Sequence, residues 1–194
     1  MYSACMSTPE RLIEATRELL WERGYVGTSP KAVQQAAGVG QGSMYHHFAG
    51  KPDLALAAIR RTAEELGGAA EAALGGEGTA YARIEAYLLR ERDVLRGCPV
   101  GRLTMDPEVI ADPALRAPVD EVLERLRARL AEVVQEGLDS GELSGPLDAG
   151  EVAATILATV QGGYVLARAT GTRVPFDHAV RGLLTLLAPA AATA

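Results

Sequence analysis

The chain has 194 residues, 48% of them apolar and 23% charged, which is enough for one ordinary domain or two small ones and excludes an intrinsically disordered chain. Its two cysteines, Cys5 and Cys98, offer neither a disulfide framework nor a paired metal-ligand spacing, so a cytoplasmic setting is expected. The net charge of -6 hides an asymmetry: residues 1–61 carry seven Lys/Arg against five Asp/Glu and residues 62–194 twelve against twenty, so a polyanion is expected to meet the first third.

Almost every long segment has an apolar period near 3.6 and none alternates as a strand would, which predicts an all-α fold. A first helix is expected over Thr8–Arg23, with Pro9 in its first turn, Leu12, Thr16, Leu19 and Leu20 on one face, and Gly24 as its stop. Ser29 followed by Pro30 opens a helix of barely two turns that Gly38 ends. A further short helix from about Gly40 to His47 completes the spacing of a helix-turn-helix. A long connector helix then starts near Lys51 and lasts to about Leu74, where Gly75-Gly76-Glu77-Gly78 breaks it; Gly67-Gly68 is a possible bend.

Thr79 caps a fifth helix expected to carry Tyr81, Ile84, Leu88 and Leu95 along one side and to close at Gly97. Pro99, Pro107, Pro113 and Pro118 cut residues 97–118 into at most one or two short helices. A regular stripe of Val122, Leu123, Leu126, Leu130, Val133, Val134 and Leu138 predicts a long helix from about Val119. Asp148 and Glu151 then form a capping box before Val152, Ile156, Val160, Gly163, Tyr164 and Ala167, and a last helix begins near Pro175. The tail from Pro189 is expected to be loose. The N-terminus lacks an export signal and residues 152–167 and 182–194 are short for membrane spans, so no membrane partner is expected.

The chemistry concentrates between Thr28 and Lys51. The third helix should present Gln41, Ser43, Tyr45 and His46 or His47, which exchange hydrogen bonds without fixed negative charge and suit a DNA groove. Gly40 and Gly42 keep its N-terminal turn slim, so free backbone N–H groups can approach a phosphate or base edge. Gln41 has bidentate capacity for adenine, whereas Ser43, Tyr45, His46 and Lys51 are better phosphate ligands or short-range base contacts. Lys51 opens a helix where the dipole disfavours a cation, a placement that a bound phosphate would offset. Phe48 reads as core, and Tyr45 as part core and part surface.

Gly24-Tyr25 to Thr28, Ala36-Ala37-Gly38-Val39, Gly42-Ser43-Met44-Tyr45-His46-His47-Phe48 and Lys51 followed by Leu54 together resemble the DNA-binding domain of the TetR/AcrR family of bacterial transcriptional regulators, over about residues 9–60. Pro30 and Met44 depart from that pattern without disturbing it, since proline fits a first turn and methionine fills the space of leucine. The resemblance implies a homodimeric, usually repressing regulator that binds a double-stranded operator and is released by a small-molecule inducer. Carried onto this sequence, it implies that Gly40, Gln41, Ser43, Tyr45 and His46 face DNA, with Thr28 or Ser29 and Lys51 on phosphates. Arg96-Gly97-Cys98-Pro99-Val100-Gly101 is similar to a segment of the LmrA/YxaF-type subgroup, whose members are associated with multidrug or aromatic natural-product responses.

The expected organisation is a helix-turn-helix domain over residues 1–50 and a helical ligand-binding and dimerisation bundle over residues 51–194. Ile156, Val160, Gly163, Phe176, Val180, Leu183, Leu184 and Leu187 are expected at the dimer interface, against the alternative that this stripe packs within its own chain. Tyr81, Tyr87, Leu88, Met105, Leu123, Leu126, Tyr164 and Leu166 are expected to line a pocket for a lipophilic or aromatic compound. No cofactor or metal ligand set is legible: Gly38, Gly40 and Gly42 follow no strand, and His46, His47 and His178 form no Glu-x-x-His pattern. No acid, base and nucleophile stand in register, so an enzyme is not expected, and the competing class is a helical interaction protein that never touches DNA.

Overall fold

The computed structural model describes residues 6–188; Cys5 and the 189–194 tail lie outside them. Nine α-helices and one 3-10 turn make up the described chain: α1 Thr8–Arg23, α2 Pro30–Ala37, α3 Gln41–His47, α4 Lys51–Leu74, α5 Ala80–Leu89, a 3-10 turn at Gly101–Met105, α6 Pro107–Ala111, α7 Pro113–Asp139, α8 Ala149–Thr170 and α9 Val174–Leu187. The first four match the expected bounds within a residue, because each carries its own punctuation. Ser29 Oγ accepts the Ala32 N–H at 3.2 Å to start α2. Gly38, at φ +63°, ends it by donating to Gln35 O while Val39 donates to Gln34 O. Gly67 and Gly68 lie inside α4, which continues through them.

Two expectations fail between residues 90 and 119. The fifth helix stops at Leu89 instead of Gly97, and Leu95 is exposed. Arg90 is already extended, Arg92 reaches back to the Tyr87 carbonyl, and Asp93 gathers the N–H groups of Arg96 and Gly97 into a separate turn. Conversely α7 begins at Pro113, six residues before the expected start, and runs through Pro118. Proline so near a helix start removes one backbone bond and leaves the rest of the ladder intact.

The chain divides into two compact units, and not at residue 50: unit 1 is residues 1–65 with 98–121, and unit 2 is residues 66–97 with 122–194. In unit 1, Leu12, Leu19, Val33, Ala37, Met44 and Leu54 form a core against which Ile13, Ala15, Ala32, Val39 and Phe48 pack. At roughly 1.5–3 kcal/mol for each large side chain buried, this core holds together helices too short to persist alone. Arg17 ties α1 to α4, with Nε on Thr62 Oγ1 at 3.1 Å and Nη1 on Glu65 Oε1 at 2.8 Å. Trp21, the one tryptophan of the chain, is half-buried on α1.

In unit 2, the Glu142 carboxylate accepts the N–H groups of Ala80 at 2.8 Å and Tyr81 at 2.9 Å, closing the start of α5. Asp148 accepts the Glu151 N–H at 2.9 Å and starts α8. At 22 residues α8 is long and apolar enough to cross a membrane, which corrects the expectation that this stretch is too short for a span, but its face Val152, Ile156, Val160, Gly163, Tyr164 and Ala167 is buried as in a core helix. It packs on α9 with the rings of Tyr164 and Phe176 5.0 Å apart, and a Cβ on Gly163 would stand 2.8 Å from Phe176 Cδ2.

The eight residues expected at a dimer interface are all buried within one chain. Gly163 and Phe176 meet where α8 packs on α9, and the apolar surface of all eight is already covered within the chain. What both helices leave exposed is the opposite face, with Ala158, Gly162, Val165, Leu166 and Ala169 on α8 and Gly182 and Leu186 on α9. Leu186 is 84% exposed.

Candidate nucleic-acid interface

The α3 helix separates its residues by face. Met44 is fully buried, and Gln34 Nε2 donates to its sulfur at 3.6 Å, so α2 and α3 are locked together at this point. Gln41, Gly42, Tyr45 and His46 are exposed, Ser43 is half-buried, and Tyr45 retains 51% of its surface. His47 is exposed too, its ring edge-on to His46 at 4.9 Å. Phe48 turns into the core. Five of the candidate DNA residues, Gly40, Gln41, Ser43, Tyr45 and His46, therefore stand together on or beside one short helix.

Gly40 is the N-cap of α3 and lies in extended backbone, with no side-chain bond to the helix start. A Cβ at Gly40 or Gly42 would meet nothing among the described residues within 4 Å. Their smallness thus meets no packing need among the described residues and lets a phosphate approach the start of α3, where the Ser43 N–H already bonds to the Gly40 carbonyl at 3.1 Å.

The remaining candidates divide. Ser29 is exposed; its oxygen already accepts from Ala32 and its hydroxyl hydrogen remains able to donate. Thr28 is buried and its hydroxyl donates to the Gly24 carbonyl at 2.7 Å, so of the two phosphate candidates Ser29 is the accessible one. Lys51 lies half-buried with Nζ 3.8 Å from the centroid of the Tyr25 ring. The ring face attracts the ammonium and restricts its sweep, which lowers the entropy lost when it meets a phosphate. The Asp53 carboxylate accepts the Ala49 N–H at 3.0 Å and places a negative charge in the first turn of α4, offsetting the cation that opens that helix.

Two positions that support this surface escaped the sequence reading. Arg11 on α1 donates through Nη2 to the carbonyls of Ala37 and Gly38, at 3.0 Å for the latter, pinning the end of α2 where the turn toward α3 begins. Asp106 receives the Val26 N–H at 2.9 Å. Neither link has a local signature, since the partner in each lies more than twenty residues away.

Residues 12–58 match the domain described as "Bacterial regulatory proteins, tetR family", and residues 78–183, over half the chain, match the one described as "Tetracyclin repressor-like, C-terminal domain". The chain belongs to the TetR family. Among TetR-family relatives, the transcriptional regulator AcuR of Cereibacter sphaeroides is 32% identical over 146 residues, covering 72% of this chain and 66% of that protein. The transcriptional repressor AcnR of Corynebacterium glutamicum is 28% identical over 166 residues, covering 84% and 82%. The crystal structure of a TetR regulator from Chloroflexus aurantiacus matches with a TM-score of 0.80 at 32% identity over 92% of each chain. Membership makes this protein a DNA-binding transcription regulator and decides against an interaction protein that never meets DNA.

The expected ligand-binding residues are scattered more widely than the sequence reading placed them. Tyr87, Leu88, Leu126 and Tyr164 are buried in unit 2, Leu123 and Tyr81 are partly buried there, and the Tyr81 hydroxyl donates to the Leu184 carbonyl at 3.3 Å. Met105 belongs to unit 1 and is 85% exposed at the end of the 3-10 turn; Leu166 is 53% exposed on the outer face of α8. Both stand in solvent, so their expected place in an interior lining is corrected. Within unit 2 a cleft of about 170 Å³ is lined by Leu88, Leu89, Phe176 and Val180 with Arg90, Arg173, Arg181 and Asp177 around them. Cys98 is buried and its sulfur accepts the Gly101 N–H at 3.2 Å, a packing role.

Proposed function

We propose that this TetR-family protein is a homodimeric, cytoplasmic repressor that binds a palindromic operator through α3 and is released by a small lipophilic or aromatic ligand. The observation that carries the DNA reading is the split of α3. Met44 and the following Phe48 anchor it, while Gln41, Tyr45 and His46 stand exposed beside a glycine-flanked N-terminus that no side chain among the described residues caps. Gln41 reads a base edge; Ser29, Ser43 and Lys51, with the amides at Gly40 and Gln41, take phosphates; and Tyr45 and His46 lie along the backbone or the groove wall.

One such reader covers a single half-site, and pairing two by a two-fold axis is the common route to a specific operator. The support for a dimer is the exposed small and apolar face of α8 and α9, where Gly162 and Gly182 would allow a second copy to come close. The inducer is assigned to unit 2, where Tyr87, Leu88, Leu126 and Tyr164 are buried and Tyr81 and Leu123 partly buried, a set of aliphatic side chains and phenol hydroxyls that suits a lipophilic or aromatic compound. A ligand acts there only through unequal affinity for the DNA-competent and DNA-incompetent states; a hundredfold release requires about 2.7 kcal/mol of coupling.

Footprinting of the purified protein across the promoter region of its own and neighbouring genes tests the reading. A protected palindrome is expected, with half-site centres about 34–36 Å apart for a one-turn spacing. Absence of protection there and in a genome-wide binding screen would overturn it.

A further inference from the structure

The turn between α1 and α2 is held by a carboxylate from a distant part of the same unit. Asp106, only 8% exposed, is the N-cap of α6, and its Oδ1 accepts the N–H groups of Glu108 at 3.2 Å and Val109 at 3.3 Å. Its Oδ2 turns away from that helix and accepts the Val26 N–H at 2.9 Å, across 80 residues of sequence. An N-cap needs one oxygen only. The second would cost desolvation if left bare, so a backbone donor brought to it is a built contact.

The turn is shaped to admit it. Gly24 has φ +75°, and a Cβ there would stand 2.9 Å from Asp106 Oδ2, so the residue is glycine both for its backbone and for the room it leaves the carboxylate. Thr28 closes the turn on itself, through its hydroxyl to Gly24 O at 2.7 Å and its N–H to Tyr25 O at 3.1 Å. Tyr25 is therefore gripped on both sides, between the glycine that faces the carboxylate and the amide that binds it. Burial first, and then the carboxylates of Glu108, Asp112 and Asp106, raise its phenol above the ordinary value, and the ring lies beneath the ammonium of Lys51.

We propose that Asp106 is a positioning residue for DNA binding: by fixing the backbone of Gly24 to Val26 it fixes the Tyr25 ring, and through that ring the direction in which Lys51 meets a phosphate. The inference rests on the reading of Lys51 as a phosphate contact. It adds that residues 101–109, far in sequence from the reader, set the strength of that contact, so any movement of this segment is felt as a change in one phosphate interaction per half-site.

The test uses the full-length protein with its operator and with random duplex DNA, comparing wild type, Asp106→Asn, Lys51→Ala and the double variant across a salt series. Asparagine keeps an oxygen to cap α6 but turns an amide NH2 toward Val26, so the link breaks and the cap survives. Each single variant should reduce the slope of log affinity against log salt by about 0.9 per half-site, about 1.8 for a dimer on its palindrome. Affinity should fall by similar factors on both DNAs, and the double variant should be no weaker than Lys51→Ala alone. A wild-type slope in a folded Asp106→Asn protein, or losses that multiply in the double variant, overturns the proposal. If Asp106→Asn melts below the assay temperature, Tyr25→Leu, which keeps the backbone bond and removes the ring, must lower the slope in the same way; an unchanged slope there is equally fatal. Failure of the wild type to bind any DNA overturns the DNA reading itself, and with it this proposal, whereas binding with unaffected variants overturns this proposal alone.

Discussion

At the scale of single residues, Gln41 and Gly24 carry opposite kinds of prediction. Gln41 is exposed, so Gln41→Ala should leave the melting temperature unchanged. On the operator it should cost about 1–3 kcal/mol, with little loss on random duplex, if the side chain makes a bidentate base contact. Equal loss on both DNAs in a binding titration would reassign it to the phosphate backbone. Gly24→Ala should do the reverse, lowering stability by about 1–3 kcal/mol in a denaturant titration through its positive φ and the collision with Asp106. The sequence showed the exposed set well because it follows from a period, a cap and a glycine pair, all of which act within a few residues. Arg11 and Asp106 were invisible for the converse reason: an arginine on one helix and a capping aspartate before another look like local features until folding brings Gly38 and Val26 to them.

Among the helices, two adjacent glycines on α8 make a controlled pair. Gly163 faces Phe176 with no room for a methyl group, whereas Gly162 points into open space. Gly163→Ala should part α8 from α9 at a cost of about 1–3 kcal/mol. Gly162→Ala should stabilise an isolated chain by about 0.5–1 kcal/mol through helix propensity; a loss instead, measured by thermal melting, would reveal a second copy packed against that face. The start of α5 gives a pH prediction. Burial acts to raise the Glu142 carboxyl, but the Tyr81 N–H, the Thr79 hydroxyl and the Ala80 N–H outweigh it and hold the group below its ordinary 4.5. A carboxylate depressed on folding contributes stability that is complete above its unfolded value and lost as pH falls through the folded one. Chemical denaturation from pH 6 downward should thus show a decline below about pH 4.5 that Glu142→Gln diminishes. Helix starts were legible because Ser29, Thr79 and Asp148 announce them. The end of α5 at Leu89 and the start of α7 at Pro113 are not legible in this way, since Asp93 turns a continuing apolar pattern aside and Pro118 is tolerated inside a helix.

For the whole molecule, motif alone sets the boundary of the expected reader at residue 50, the end of the helix-turn-helix. Packing draws it elsewhere, because residues 98–121 return to unit 1. The stripe expected at a dimer interface follows the alternative of packing within its own chain: periodicity shows that α8 and α9 each have an apolar face, and it cannot show that one chain buries both. With the outer face as the interface, Leu186→Glu should convert a particle of about twice 20.4 kDa into one of single mass by light scattering, with helicity intact and operator affinity lost. A dimer that survives the substitution would place the interface elsewhere. The position of Trp21 has an optical consequence. The chain has one tryptophan, and it sits in unit 1, so emission excited near the red edge of aromatic absorption comes from the reader while unit 2 stays dark. Far-ultraviolet dichroism, by contrast, weighs every helix. Recording both along one urea gradient asks whether the units melt as a single cooperative body: superimposable curves mean that they do, and an emission change at lower urea than the dichroism change means that the DNA-reading end can open by itself.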